Sequence, residues 1–218
     1  HLHPDNAKEF FGYMAQKYGQ YDNVIFEIYN EPIEPDWTTI KSYSETVIET
    51  IREYSDNLIL VGTESYSSKV YNASLSPIAD ENVAYVFHFY ASYDSSTSFR
   101  NDVLGAMANN VAVFASEWGN IYAWGDKRDL TDENSFADSD GWHELLDDYA
   151  ISSANWCVFS TNMSYDSPNE AAIFNNEFGS ISRTGEYWND TSLLTPSGLY
   201  MYNMLNEQAE MVQWRKAQ

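Results

Sequence analysis

Two short runs end an apolar, β-rich stretch on a glutamate: Phe26-Glu27-Ile28-Tyr29-Asn30-Glu31-Pro32 and Phe114-Ala115-Ser116-Glu117-Trp118-Gly119. In each, a proline or glycine then breaks the stretch. A carboxylate at the C-terminal mouth of a buried strand occupies the rim where α/β barrels gather catalytic groups. Two of them on different strands supply what cleavage of a glycosidic bond requires. One acid protonates the leaving oxygen, and one carboxylate attacks or stabilises the anomeric carbon. Either run alone reads equally well as a surface glutamate after an edge strand; the pair and its surroundings carry the argument further.

The elements that must position these carboxylates alternate along the chain. Pro4-Asp5 opens a helix with Ala7, Phe10, Phe11, Met14 and Tyr18 at helical spacing, closed by Gly19. A strand over Val24–Tyr29 follows, then a helix capped by Thr38 or Thr39 with Ile40, Tyr43, Val47, Ile51 and Tyr54 on one face. Further strands are expected over Leu58–Val61, Val83–Phe89, Val111–Ala115 and Ala154–Phe159. Helices are expected over Ser98–Ala108, around Trp142, Leu145, Leu146 and Tyr149, and after Thr195-Pro196. Near-continuous apolar strands separated by helices imply a parallel sheet covered on both faces. The loop from Ser160 to Leu194 is long and aromatic, with Tyr165, Phe174, Phe178, Tyr187 and Trp188, as the walls of a binding cleft often are.

At 218 residues the chain is one domain spanning residues 1–218. A complete (β/α)8 barrel takes roughly 250 residues, and only five strands are legible here. The chain also starts on a helix with no strand before it, and a five-stranded sheet would leave an open edge. The expectation is the C-terminal five units of a barrel, with the first three β/α units absent, left out or supplied in trans.

Eleven Lys and Arg against 33 Asp and Glu give a net charge of −22, which argues against nucleic acid or anionic membrane as a partner. Charged residues make up only 20% of the chain, so the acidity is not that of a disordered tail. Aromatic residues reach 16%, including 17 Tyr and 7 Trp; they serve as core filler or, in a cleft, suit the apolar faces of sugars. The single Cys157 excludes an internal disulfide and reads as an inert buried thiol. There is no apolar run of about 20 residues that would span a membrane. His1 and His3 have ligand-like spacing at a frayed terminus, and Asp138-Ser139-Asp140 is too short for a calcium loop, so no metal or cofactor is expected.

An ordered set of motifs resembles glycoside hydrolase family 5, the cellulase family A endoglucanases, over nearly the whole chain. They are Asn23–Pro32 (NVIFEIYNEP), Asn57–Thr63 (NLILVGT), Val86–Ala91 (VFHFYA), Ala115–Gly119 (ASEWG), Ala154–Ser160 (ANWCVFS) and Leu194–Gly198 (LTPSG). Their order fits strands four to eight of that barrel. The resemblance implies Glu31 as general acid/base, Glu117 as nucleophile, and Asn30 as the partner of the sugar 2-hydroxyl. His88 and Tyr90 share a strand face; by the resemblance His88 lines the cleavage subsite and Tyr90 donates to Glu117. Trp156 matches the platform beneath the reacting sugar. Tyr66 stands where many relatives carry a tryptophan, and Trp37 serves nearby; for both, packing and ligand contact are equally good readings. The implied mechanism is double displacement with retention.

Departures accompany the match. The family's arginine on strand two and histidine after strand three have no counterpart, His1 aside, and an Asp-Lys pair after the last strand is replaced by Ser160-Thr161-Asn162, with Glu170 a partial substitute. The implied substrate is a β-glucan, and a polymer too large to enter cells implies a secreted protein. Mannanase, xyloglucanase and lichenase relatives, and an inactive carbohydrate-binding fragment, remain open alternatives. The sequons at Asn72, Asn162 and Asn189 matter only in a eukaryotic secretory pathway.

Overall fold

The computed structural model describes residues 2–95, 97–121, 136–160, 172–177 and 190–216. His1, Thr161, Glu170, and the Asn162 and Asn189 sequons lie outside the described residues, as does most of the expected long loop, including Tyr165, Phe178, Tyr187 and Trp188. The elements run α1 (Pro4–Tyr18), β1 (Phe26–Glu27), α2 (Trp37–Arg52), β2 (Ile59–Gly62), α3 (Glu64–Ser67), α4 (Val70–Ser74) and β3 (Val83–Tyr90). They continue with α5 (Thr97–Ala108), β4 (Ala112–Gly119), α6 (Ala137–Asp148), β5 (Ser153–Asn155), β6 (Phe159–Ser160), β7 (Phe174–Glu177) and α7 (Pro196–Lys216).

Strands β1 to β5 form one sheet in sequence order. β1 pairs parallel to β2, with Phe26 opposite Ile59, and β2 parallel to β3, with Ile59 opposite Val83. Sequential parallel order without a switch point is the winding of a barrel rather than of a doubly wound sheet. With right-handed crossovers such an order sends successive helices to one face, the other being covered by the side chains that fill a barrel.

The chain divides into two compact units. The first comprises His1–Phe89, Ser96–Glu117 and Leu145–Ser153. Its core includes Ile40, Val47 and Ile51 of α2, Ile59 and Val61 of β2, and Phe87 and Phe89 of β3, each fully buried. On the opposite pleat, Leu60, Ala84 and Val86 cluster with Leu58 and Phe114. Gly19 ends α1 in right-handed geometry, so the glycine is required by space: a Cβ there would lie 2.5 Å from both Ala15 O and Ser55 Cβ. Helix α2 is capped by Asp36, whose carboxylate accepts from the Thr39 amide at 2.9 Å, and not by Thr38 or Thr39.

Arg52, at the C-terminal end of α2, uses all five of its donors. Nε and Nη2 reach the Asp80 carboxylate at 2.8 and 2.9 Å, Nη1 the carbonyls of Ser55 and Asn57, and Nη2 that of Asn82. This ties the end of α2 to the approaches of β2 and β3.

The second unit comprises Tyr90–Ser95, Trp118–Glu144 and Ala154–Gln218. Trp118 meets His143 edge-on at 4.4 Å, and Tyr200 stacks on Phe136 and donates to Asp140 at 2.8 Å. Thr195 caps α7 as expected, accepting from the Gly198 amide at 2.9 Å. The strand expected over Ala154–Phe159 is divided: β5 ends at Asn155, and Phe159–Ser160 pairs instead with Phe174–Glu177 in a separate two-stranded sheet.

Candidate active site

Glu31 leaves β1 through a short loop held from beneath. Gly62, the last residue of β2, lies against it, and an added Cβ would sit 2.6 Å from Tyr29 O and 3.1 Å from Asn30 O. From the next segment, the Tyr66 amide donates to Pro32 O at 3.0 Å and Ser67 Oγ to Asn30 O at 2.9 Å. Ser65, Tyr66 and Ser67 have φ of 53°, 63° and 54°, three consecutive left-handed residues without a glycine. Such a turn persists only where surrounding bonds over-determine it. It presents Tyr66 half-exposed beside the Asn30–Pro32 loop.

His88 is buried on β3 and connects the two carboxylates. Its Nδ1 lies 2.8 Å from Glu31 Oε1 and 3.9 Å from Glu117 Oε2. Its Nε2 lies 3.1 Å from Ser116 Oγ, and Ser116 donates to Glu27 Oε1 at 2.7 Å. One donor atom each from Glu31, His88 and Glu117 lie within 4.8 Å of one another. That spacing would let the three meet a cation, and it is equally the geometry of two carboxylates sharing an imidazole.

Glu27 and Ser116 are the members of this cluster that sequence reasoning missed. Register puts Glu27 opposite Leu60 and Leu60 opposite Ala84, so Glu27 projects on the same face as Ala84, Val86 and His88. Burial pushes the Glu27 carboxyl above the usual glutamate range, partly offset by the Ser116 hydroxyl and by His88, while the Glu117 charge adds to the rise. The available signal was a lone charge inside a buried apolar strand, which needs a partner.

The remaining expected residues fall as follows. Asn30 is exposed beside Glu31. Trp37 is 7% exposed at the start of α2, donates Nε1–H to Ser76 O at 2.9 Å and meets Tyr85 edge-on at 5.6 Å, which is the packing reading of the two left open. Tyr90 and Trp156 belong to the second unit. There the Tyr90 amide donates to Asp94 at 2.8 Å, and Trp156 is 47% exposed with its amide donating to Trp118 O at 2.8 Å.

The fold and the cluster together define a partial β/α barrel bearing two carboxylates at strand ends. The family model for cellulase (glycosyl hydrolase family 5) matches residues 3–162, and the chain belongs to that family. It is 44% identical over 158 residues to Endoglucanase Z of Dickeya dadantii, covering 72% of this chain and 36% of that protein. It is 34% identical over 214 residues to Endoglucanase A of Evansella cellulosilytica, covering 96% and 40% respectively. Among solved structures, one from Cytophaga hutchinsonii superposes with TM-score 0.77 at 32% identity, over 96% of this chain and 64% of that one. A Thermobifida fusca endoglucanase in complex with cellotetraose superposes with TM-score 0.72 at 26% identity, over 93% and 64%. The chain therefore spans well under half the length of those two endoglucanases.

Proposed function

We propose that the protein is a retaining endo-β-1,4-glucanase that cuts internal bonds of cellulose or a related β-glucan. The observation that carries this is the approach of Glu31 and Glu117 oxygens to within 4.8 Å around His88. Retaining enzymes hold their carboxyl groups about 5–5.5 Å apart, whereas inverting ones leave roughly 6.5–9.5 Å for a water. The substrate class rests on relatives named as endoglucanases and on a fold neighbour holding cellotetraose. A polymer substrate puts the protein outside the cell, and among the described residues no helix is long and apolar enough to cross a membrane.

In the first step Glu117 attacks the anomeric carbon while the glycosidic C–O bond breaks and the Glu31 proton passes to the leaving oxygen. In the second, Glu31 takes a proton from water, whose oxygen displaces Glu117 and restores it as a carboxylate. Asn30 is assigned to the 2-hydroxyl and Tyr66 to the leaving-group side; Tyr90 and Trp156 complete the substrate-binding set on the family motif. Among the described residues β1 pairs only with β2. We propose that its other edge is completed by N-terminal barrel strands, from this polypeptide or another chain; the fold neighbours are longer, this chain covering 64% of each.

The test uses the intact protein on carboxymethylcellulose and on aryl cellobiosides. Glu117→Gln should lower turnover by several orders of magnitude with little change in folding. Glu31→Gln should recover activity on activated leaving groups, which need no proton. Products of inverted configuration, or equal turnover of wild type and Glu117→Gln, would refute the assignment.

A further inference from the structure

Glu27 and Ser116 bear on a question that the carboxylate pair alone leaves open: which nitrogen of His88 carries its proton. With Glu27 ionised and therefore acceptor-only, the single Ser116 hydroxyl hydrogen points at Glu27 Oε1 over 2.7 Å. Its oxygen is then only an acceptor toward His88 Nε2 at 3.1 Å, so Nε2 must bear a hydrogen. A neutral His88 consequently presents a bare Nδ1 to Glu31 Oε1, 2.8 Å away. That contact is a hydrogen bond only if Glu31 supplies the proton.

We propose that Glu27, acting through Ser116, is a positioning residue that fixes the His88 proton on Nε2 and so leaves Nδ1 to accept the acid proton of Glu31. This rests on the assignment of Glu31 as acid/base. The arrangement follows the logic of a carboxylate that fixes an imidazole tautomer in a hydrolytic triad, with a hydroxyl inserted between them. Glu27 itself touches no reacting atom. Its effect on the chemistry is directional. In the first step the proton held between Glu31 and Nδ1 is the one delivered to the leaving oxygen. After delivery, the Nδ1 lone pair faces a charged Glu31, which favours uptake of a proton from the incoming water.

The reverse orientation shows what Glu27 prevents. A neutral amide at position 27 can donate to Ser116 Oγ. Ser116 would then donate to Nε2, the His88 hydrogen would move to Nδ1, and Glu31 would sit as a charged acceptor with no proton to give. The titratable and charged groups around Glu27 are His88 on β3, Glu117 on β4 and Glu31 in the loop after β1. β2 offers only Leu60 at the facing position.

The experiment compares wild type, Glu27→Gln, Ser116→Ala and Ser116→Thr in the intact protein. Imidazole nitrogen NMR of His88 reports the tautomer without needing activity, so it separates this proposal from the glucanase assignment. The expected result is a hydrogen on Nε2 in wild type and in Ser116→Thr, moving to Nδ1 in Glu27→Gln. On aryl cellobiosides with poor leaving groups, Glu27→Gln and Ser116→Ala should lose roughly tenfold to hundredfold in kcat/KM, part of the whole benefit of general acid catalysis. With activated leaving groups the loss should fall below about threefold, and the alkaline limb of the pH profile should move to lower pH. Ser116→Thr restores both. A wild-type hydrogen on Nδ1, a tautomer unmoved by Glu27→Gln, or equal losses on both leaving groups with an unchanged pH profile would each overturn the proposal. If Glu27→Gln fails to fold, the Ser116 pair decides the matter on the same readouts.

Discussion

Gly62 sets how closely the acid-bearing loop approaches the sheet. A methyl group there would lie 2.6 Å from the Tyr29 carbonyl and 3.1 Å from the Pro32 ring, so the loop carrying Glu31 must move outward. Gly62→Ala should cut kcat on cellooligosaccharides by roughly a hundredfold, since displacement of about 1 Å is enough to spoil a catalytic geometry. Overpacking of this kind costs about 1–3 kcal/mol, so the melting temperature should fall by only a few degrees. Calorimetry beside steady-state kinetics checks both halves; unchanged kcat would show that the loop absorbs the methyl. Glu31 and Glu117 stood out in the sequence because Pro32 and Gly119 break the apolar runs beside them, and His88 through the motif that holds it; the structure brings the three together. Glu27 was not, because it lies inside the pattern and only the register of β1 on β2 shows which face it takes. For Trp37 the sequence left packing and ligand contact equally open, and the structure shows its N–H bonded to Ser76 with the ring buried.

Among the elements, α2 is anchored at its C-terminal end by Arg52, and that anchor is pH-dependent. The Arg52 guanidinium beside Asp80 holds that carboxyl below its ordinary value of 3.8. Folded Asp80 therefore releases its proton at lower pH than the unfolded chain does. The pair stabilises the fold above the ordinary aspartate range, and that contribution is lost as pH falls through the lowered value. Asp80→Asn should lower stability at pH 7 by about 1–3 kcal/mol, the worth of hydrogen bonds to charged groups. Urea midpoints of the two proteins should converge as pH falls below the ordinary aspartate value of 3.8; a gap that does not narrow would mean the loss is not one of charge. Sequence periodicity located α1, α2, α5 and α7 well, because each shows an apolar face or a clear opening signal. It failed at the last strand, where an apolar run from Ala154 to Phe159 reads as continuous although Asn155 and Phe159 pair in different sheets. Periodicity reports apolarity, and it says nothing of which neighbour a strand chooses.

For the whole molecule the dominant quantity is a net charge of −22 on 218 residues. Like charges at this density repel within the folded state, and the repulsion is screened over about 10 Å at 0.1 M salt. Raising sodium chloride from about 10 mM to about 0.5 M, where screening shortens further, should raise the melting temperature by several degrees. A thermal scan across that range checks the sign; a fall would mean that local ion pairs such as Arg52–Asp80 outweigh the general repulsion. Membership of glycosyl hydrolase family 5 was legible from the order of six short motifs, each weak alone. The charge was equally plain, yet it bears on solubility and partners and not on fold.

The left-handed turn at Ser65–Ser67 gives selection an unusual choice. For most residues glycine is a loss, yet here each of three neighbouring side chains costs about 1–2 kcal/mol that glycine would recover. Selection for heat resistance alone would favour glycine at Ser65, whereas Ser67 also holds the Asn30 carbonyl. Tyr66 forbids it at the centre, because removing the side chain removes the ring, and glycine on either side would loosen the frame that aims it. On the proposed role of Tyr66 at the leaving-group side, serines at 65 and 67 trade endurance for grip. Members of the family that dispense with the aromatic at this position are where glycines should accumulate beside it.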